Sequence, residues 1–143
     1  MASTVTISHN FETAHRLPHL PGKCVSLHGH SWWAEVTVTA PAPDAAGVVV
    51  EFGPFKKMLR GWIDEHLDHG VMLGAADPLV PLLREHDCKV YEMPDGWPTV
   101  ENVAARLADV ASELLAELDH VPGARVAQVD VRETHVNRAG WTA

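Results

Sequence analysis

A chain of 143 residues, 46% apolar and 21% charged, has the length of one ordinary domain and enough apolar content to bury a core, so a disordered segment is excluded. The formal net charge of -8 argues against a general nucleic-acid binder, which needs a basic surface for phosphates, and leaves room for a small anionic substrate held by a few local cations. No apolar run is long enough to span a membrane, no secretory pattern is present, and two cysteines are too few for a disulfide framework, so a reducing cytoplasm is the expected compartment.

Thr4 to His15 alternates: Val5, Ile7, His9, Phe11, Thr13 and His15 share one parity, which is strand periodicity. Pro18 to Gly22 breaks the pattern as a loop. A second strand is expected from His28 to Ala40, with His28, His30, Trp32, Ala34, Val36 and Val38 on one face; Trp32 and Trp33 fall on opposite faces, one for the core and one for the surface or an interface. Pro41 to Gly47 reads as a turn and Gly47 to Phe52 as a short apolar strand or strand extension. Gly53-Pro54 then opens a helix with the stripe Phe55, Met58, Leu59, Trp62, Ile63 and Leu67. Gly70 to Gly96 is irregular, with a short helix after Asp77-Pro78 and a short strand around Lys89 to Met93, and Cys88 is expected to be a small buried residue. A second long helix follows Pro98, with Thr99 as its N-cap, Glu101 in its first turn, and an apolar stripe from Val100 to Leu118. Pro122-Gly123 ends that unit; Arg125 to Glu133 alternates again, with Ala127, Val129, Val131 and Glu133 on one face, and a last short strand lies near Gly140-Trp141. The order β-β-α-α-β-β, within one domain over residues 1–143, is an α+β pattern with an antiparallel sheet and two helices on one face.

Ten histidines are many for this length, and three of them form a pattern. Residues two apart on a strand point the same way, so His28-Gly29-His30 aims two imidazoles at one space, with Gly29 leaving room for close approach. If the first two strands pair as a hairpin, His15 meets them, and three imidazoles leave one position open on a tetrahedral zinc. Cys24 has two readings: a fourth ligand that closes a structural site, or a thiolate beside the metal that works on a substrate. His9, His19, His66, His86, His120 and His135 have no comparable cluster.

Other residues carry chemistry with less pattern behind it. In Leu67-Asp68-His69 the carboxylate either orients the imidazole or is a solvated charge at a helix C-terminus. Glu133 lies on an apolar parity, so its carboxylate is either in water at the sheet end or held for a partner; a heterocycle edge with two adjacent N–H donors would satisfy it, with Thr134 adding a hydrogen bond. Arg16 and Lys23 flank the histidine loop and either receive a phosphate or are ordinary surface charges. Pro98-Thr99 and Glu101-Asn102 read first as helix capping.

Taken in order, Phe11-Glu12-Thr13-Ala14-His15-Arg16-Leu17, Cys24-x-x-x-His28-Gly29-His30, Leu67-Asp68-His69, Pro98-Thr99-x-Glu101-Asn102 and Glu133-Thr134 resemble the 6-pyruvoyl-tetrahydropterin synthase and 6-carboxy-tetrahydropterin synthase family, from about Thr4 to Trp141. The resemblance implies the tunnelling fold, in which ββααββ subunits build trimers that pair as a homohexamer with active sites between subunits. It implies zinc on His15, His28 and His30, Cys24 as catalytic base, and Asp68 with His69 as its partner dyad, in a site formed between subunits where the dyad can serve a neighbour's Cys24. It implies a pterin triphosphate substrate, anchored by Glu133, with Thr134, Thr99, Glu101, Lys23 and Arg16 around it. The three residues between Cys24 and His28 resemble the carboxy-type branch of queuosine and 7-deazapurine biosynthesis, since pyruvoyl-type members carry a longer stretch there. The pyruvoyl-type product is the alternative within enzymes; a zinc module closed by one cysteine and three histidines, or a pterin-binding module, is the alternative outside catalysis. Two departures stand out: Glu51-Phe52 where the family often has Asp-Phe, and a longer segment from Gly74 to Trp97 that would reshape the pocket rim.

Overall fold

The computed structural model describes residues 1–143. Strands β1 (Ser3–His15) and β2 (His28–Ala40) form a long antiparallel hairpin. Helix α1 (Phe52–His66) follows, then β3 (Gly70–Gly74), a short α2 (Leu79–Glu85), β4 (Val90–Met93), α3 (Val100–Ala116), β5 (Arg125–Arg132) and β6 (Arg138–Thr142). They make one six-stranded sheet in the order β4-β3-β1-β2-β5-β6.

The period-2 pattern decides which face is covered. Ile7, His9, Phe11, Thr13 and His15 of β1 are buried, as are Trp32, Ala34, Val36, Val38 and Ala40 of β2, while the alternate residues are mostly exposed. Phe55, Leu59 and Ile63, spaced four apart on α1, pack on that face, as do Val103, Leu107, Ala111 and Leu115 on α3. Thr99 caps α3 by accepting the Asn102 backbone N–H at 3.2 Å. Leu59 and Leu107 are almost wholly buried, so truncating either to Ala should cost about 2–5 kcal/mol. Trp32 is buried and Trp33 is exposed on the open face.

Four expectations need correction. The sheet is mixed, because β3 runs parallel to both β1 and β4, whereas β1, β2, β5 and β6 pair antiparallel. Residues 47–52 do not form a strand: Val50 makes one bridge with His120, and α1 begins at Phe52 with Pro54 in its first turn, where a missing N–H costs nothing. Val126, not Ala127, faces the core at the start of β5. The register passes from Val38↔Val126 to Thr37↔Gln128, so Ala127 is the extra residue of a bulge and the parity resets there. Cys88 is exposed just before β4, not buried.

Candidate active site

The hairpin register places His15 directly opposite His28 and Thr13 opposite His30, so all three imidazoles emerge on the covered face at one end of the sheet. Their ligand atoms lie within 4.8 Å of one another. The ring centroids are 4.7 to 5.2 Å apart, edge-on, and the buried Trp32 ring floors the cluster 5.0 Å from His15. Trp32 is itself fixed by a 3.0 Å hydrogen bond from its indole N–H to the Thr13 carbonyl.

Two of the three rings are oriented by backbone. His15 Nδ1 donates to the Pro98 carbonyl at 2.8 Å, and His28 Nδ1 to the Ser26 carbonyl at 2.6 Å. A carbonyl only accepts, so Nδ1 carries the proton and each Nε2 presents a lone pair to the cluster. The Nε2 atoms of His15 and His30 are buried and have no hydrogen-bond partner. Burial holds both imidazoles below their ordinary value of 6.5, a shift that the Glu133 carboxylate only partly offsets. Neutral rings with converging, unpartnered lone pairs fit a divalent transition metal.

Cys24 is not part of this group. It sits half-buried in a single 3₁₀ turn, Lys23–Val25, whose loop is closed on itself two residues past β1 by the Leu17 N–H donating to the Cys24 carbonyl at 2.7 Å. Lys23 is exposed beside it. Glu133 lies just past the end of β5, and its carboxylate oxygens are 3.5 Å from His30 Nε2 and 3.7 Å from His15 Nε2. The Thr134 hydroxyl accepts the backbone N–H groups of Val136 and Asn137 at 3.3 and 3.1 Å, which folds the turn into β6 and leaves Glu133 aimed at the cluster.

Asp68 and His69 do touch. Asp68 Oδ2 is 2.8 Å from His69 Nδ1, and its Oδ1 accepts the Glu12 backbone N–H at 2.8 Å. Two neighbours meet in this way because His69 has φ 59°, a left-handed conformation uncommon for a non-glycine residue. The Glu12 hydrogen bond, then the His69 ring, holds the Asp68 carboxyl below its ordinary value of 3.8. His69 is well exposed, and its backbone N–H donates to the Glu12 carbonyl at 2.7 Å. The pair is therefore anchored three residues back from His15, roughly 10 Å along β1 at the usual strand rise.

Arg16 is turned away from the cluster. Its Nε donates to Asp77 Oδ2 at 2.8 Å, and its Nη2 to Asp77 Oδ1, which also accepts the Leu79 N–H at 2.9 Å. Its guanidinium is thus engaged by a buried carboxylate, and Lys23 is the freer cation. Glu101 is exposed in the first turn of α3. Gly29 also reads differently in three dimensions: a Cβ there would come no nearer than 3.6 Å to the Thr13 carbonyl and 3.9 Å to Ala14 Cα, ordinary contact, so the cluster does not require glycine. Together with Glu12, Ala14, Ser31 and Gly70 it lines a shallow groove. Sequence reasoning missed the carbonyls of Ser26 and Pro98 and the Asp77 partner, for which no local signal exists.

Comparison with known proteins gives a consistent answer. Residues 4–142 match the family model described as 6-pyruvoyl tetrahydropterin synthase. A relative named 6-carboxy-5,6,7,8-tetrahydropterin synthase, from Rickettsia bellii, is 37% identical over 99 residues, covering 68% of this chain and 71% of that one. Among solved structures, an uncharacterized protein of Wolinella succinogenes superposes with a TM-score of 0.82 at 19% identity, covering 99% of this chain and 98% of the other. The Caenorhabditis elegans 6-pyruvoyl tetrahydropterin synthase superposes with a TM-score of 0.70 at 23% identity, covering 100% and 96%. At these identities the two structures bear on the fold alone.

Proposed function

This chain belongs to the 6-pyruvoyl tetrahydropterin synthase family, and from that premise we propose that it is a zinc-dependent 6-carboxy-5,6,7,8-tetrahydropterin synthase acting on 7,8-dihydroneopterin triphosphate. The observation that carries the reading is the cluster of three imidazoles, two of them (His15 and His30) with buried, unpartnered Nε2 atoms, and a cysteine close in sequence but outside the group. His15, His28 and His30 would hold the ion, and in that position zinc supplies Lewis acidity to the hydroxyls of the substrate side chain.

The protein's own groups do the rest. Cys24, as thiolate, removes the proton from the side-chain carbon next to the ring, and protonation of a ring nitrogen yields a tetrahydropterin. His69, oriented and charge-balanced by Asp68, takes the second proton as triphosphate departs. In the carboxy branch the side chain is then cleaved with water, acetaldehyde is released, and a carboxylate remains on the ring. Glu133 binds the ring edge through its two oxygens and fixes the reacting carbon. Lys23, exposed beside Cys24, is the cation this reading gives to the triphosphate. The three-residue spacing from Cys24 to His28 and the name of the Rickettsia bellii relative favour the carboxy branch over the pyruvoyl one.

The Asp68–His69 pair stands apart from its own histidine cluster and His69 is exposed, which supports a site completed by a neighbouring subunit in a trimer or hexamer. The groove of small residues at Ala14 and Gly29 gives such a neighbour room. A cytoplasmic location and a role in queuosine or 7-deazapurine synthesis belong to the same reading; no helix is long and apolar enough to cross a membrane.

The test is turnover of 7,8-dihydroneopterin triphosphate by zinc-loaded protein, followed by triphosphate and acetaldehyde release. Both products are expected in equal amounts. Triphosphate without acetaldehyde would assign the pyruvoyl reaction, and substrate binding with neither product would leave a pterin-binding module.

A further inference from the structure

Trp97 closes the segment from Gly74 to Trp97 and precedes the proline whose carbonyl orients His15. Its indole is seated against β3 at Gly74, where an added Cβ would come within 2.5 Å of the ring, so no larger residue fits there without displacing it. The same indole stacks on His19, centroids 4.8 Å apart and planes 13° from parallel. His19 belongs to the loop that runs on to Cys24. The Trp97 carbonyl accepts the Thr99 N–H and the Asn102 side-chain amide, each at 2.8 Å, so the backbone just after the indole is tied to the N-terminus of α3.

We infer that Trp97 is a positioning residue that fixes two parts of the site at once: the orientation of His15 through the Pro98 carbonyl, and the placement of the Cys24 loop through His19. The inference rests on the metal-site reading above and goes beyond it, because it gives the segment from Gly74 to Trp97 a task. Outer groups that orient a ligating histidine typically matter by 10–100-fold in metal affinity. Removal of the indole takes away its seat against Gly74, so the backbone leading into Pro98 keeps only its two hydrogen bonds to α3, and His19 loses its stacking partner; both effects should appear together.

The experiment titrates metal-free protein with Co²⁺, read by its visible absorption, and measures alkylation of Cys24 by iodoacetamide in a Cys88→Ser background, since Cys88 is exposed. Trp97→Ala should bind Co²⁺ about 10-fold or more weakly and alkylate Cys24 several-fold faster, with Trp97→Phe restoring most of both. His19→Ala, a change at an exposed position, should speed Cys24 alkylation and leave Co²⁺ affinity unchanged. The His19 and Phe variants carry the test if Trp97→Ala does not fold: an unaltered alkylation rate in His19→Ala overturns the loop half. Wild-type Co²⁺ affinity in a folded Trp97→Ala protein overturns the His15 half. Failure of the unaltered protein to bind Co²⁺ at all would instead overturn the metal reading, and this inference with it.

Discussion

Arg16→Met separates two roles for the residue beside the first histidine. Asp77 is 2% exposed, and its carboxylate has three donors: Nε and Nη2 of Arg16, and the Leu79 N–H. Removing the guanidinium leaves a buried charge with one backbone N–H. Breaking a buried ion pair from one side costs about 3–5 kcal/mol. The Arg16 side chain is 19% exposed and the Leu79 bond survives, so the low end applies, about 3 kcal/mol. For a chain of 143 residues that is a fall in Tm of about 10 °C. The assay is urea and thermal unfolding in chelator at one fixed protein concentration, because assembly would shift both midpoints. The double variant Arg16→Met/Asp77→Leu should recover most of the loss, since no orphan charge remains. A single variant within about 0.5 kcal/mol of the parent, combined with a tenfold rise in KM, would refute the reasoning and return Arg16 to the substrate phosphates.

Three further outcomes are expected. Cys24→Ala should keep its bound metal and its Tm and lose turnover by about 10²–10⁴-fold, measured by metal content alongside product release; metal lost together with activity would make Cys24 a ligand. Glu133→Gln should raise KM or lower kcat while Co²⁺ affinity stays within a few-fold, because the reading gives Glu133 to the ring edge; since it also faces two ligand nitrogens, a collapse of Co²⁺ affinity would make it a metal ligand instead. In metal-free protein, His9, His15 and His30 titrate below their ordinary 6.5, led by burial, so on acidification the unfolded chain takes up their protons first. Stability should therefore fall as pH drops below about 6.5, by up to roughly 1.4 kcal/mol per pH unit for each such group. Asp68 and Asp77 are held below 3.8, so their contribution is complete above that value and disappears as pH falls through the lower folded-state values. A urea midpoint that is flat or rising between pH 6.5 and 5 would contradict the assignment of neutral, buried imidazoles.

The hairpin and its three histidines were legible in the sequence because strand periodicity is strict and the burial is one-sided. The expected second strand matches β2, and the first differs from β1 by a single residue. β3 was not legible: Gly70–Gly74 is five residues, mostly apolar, and lies between two parallel neighbours, so alternation carries no information there. The bulge at Ala127 was equally silent, since one extra residue changes parity without changing composition. In the site, contact between Asp68 and His69 stood in the sequence as one of two readings, because it depends on the positive φ of His69, which composition and spacing do not show. The Arg16–Asp77 pair joins residues 61 positions apart, and the Pro98 carbonyl reaches His15 across 83; both distances are set by tertiary packing alone.

All three ligand candidates come from one hairpin, between positions 15 and 30, while the apolar core runs from Ile7 and Phe11 through α1 and α3 to Val129 and Val131. An ion at the histidines would tether only the short arc joining the two strands. Chelation should leave a folded protein with a loosened arc, so such an ion would be exchangeable during the life of the chain. The metal recovered with the purified protein would then record what its surroundings supplied as much as what three imidazoles prefer.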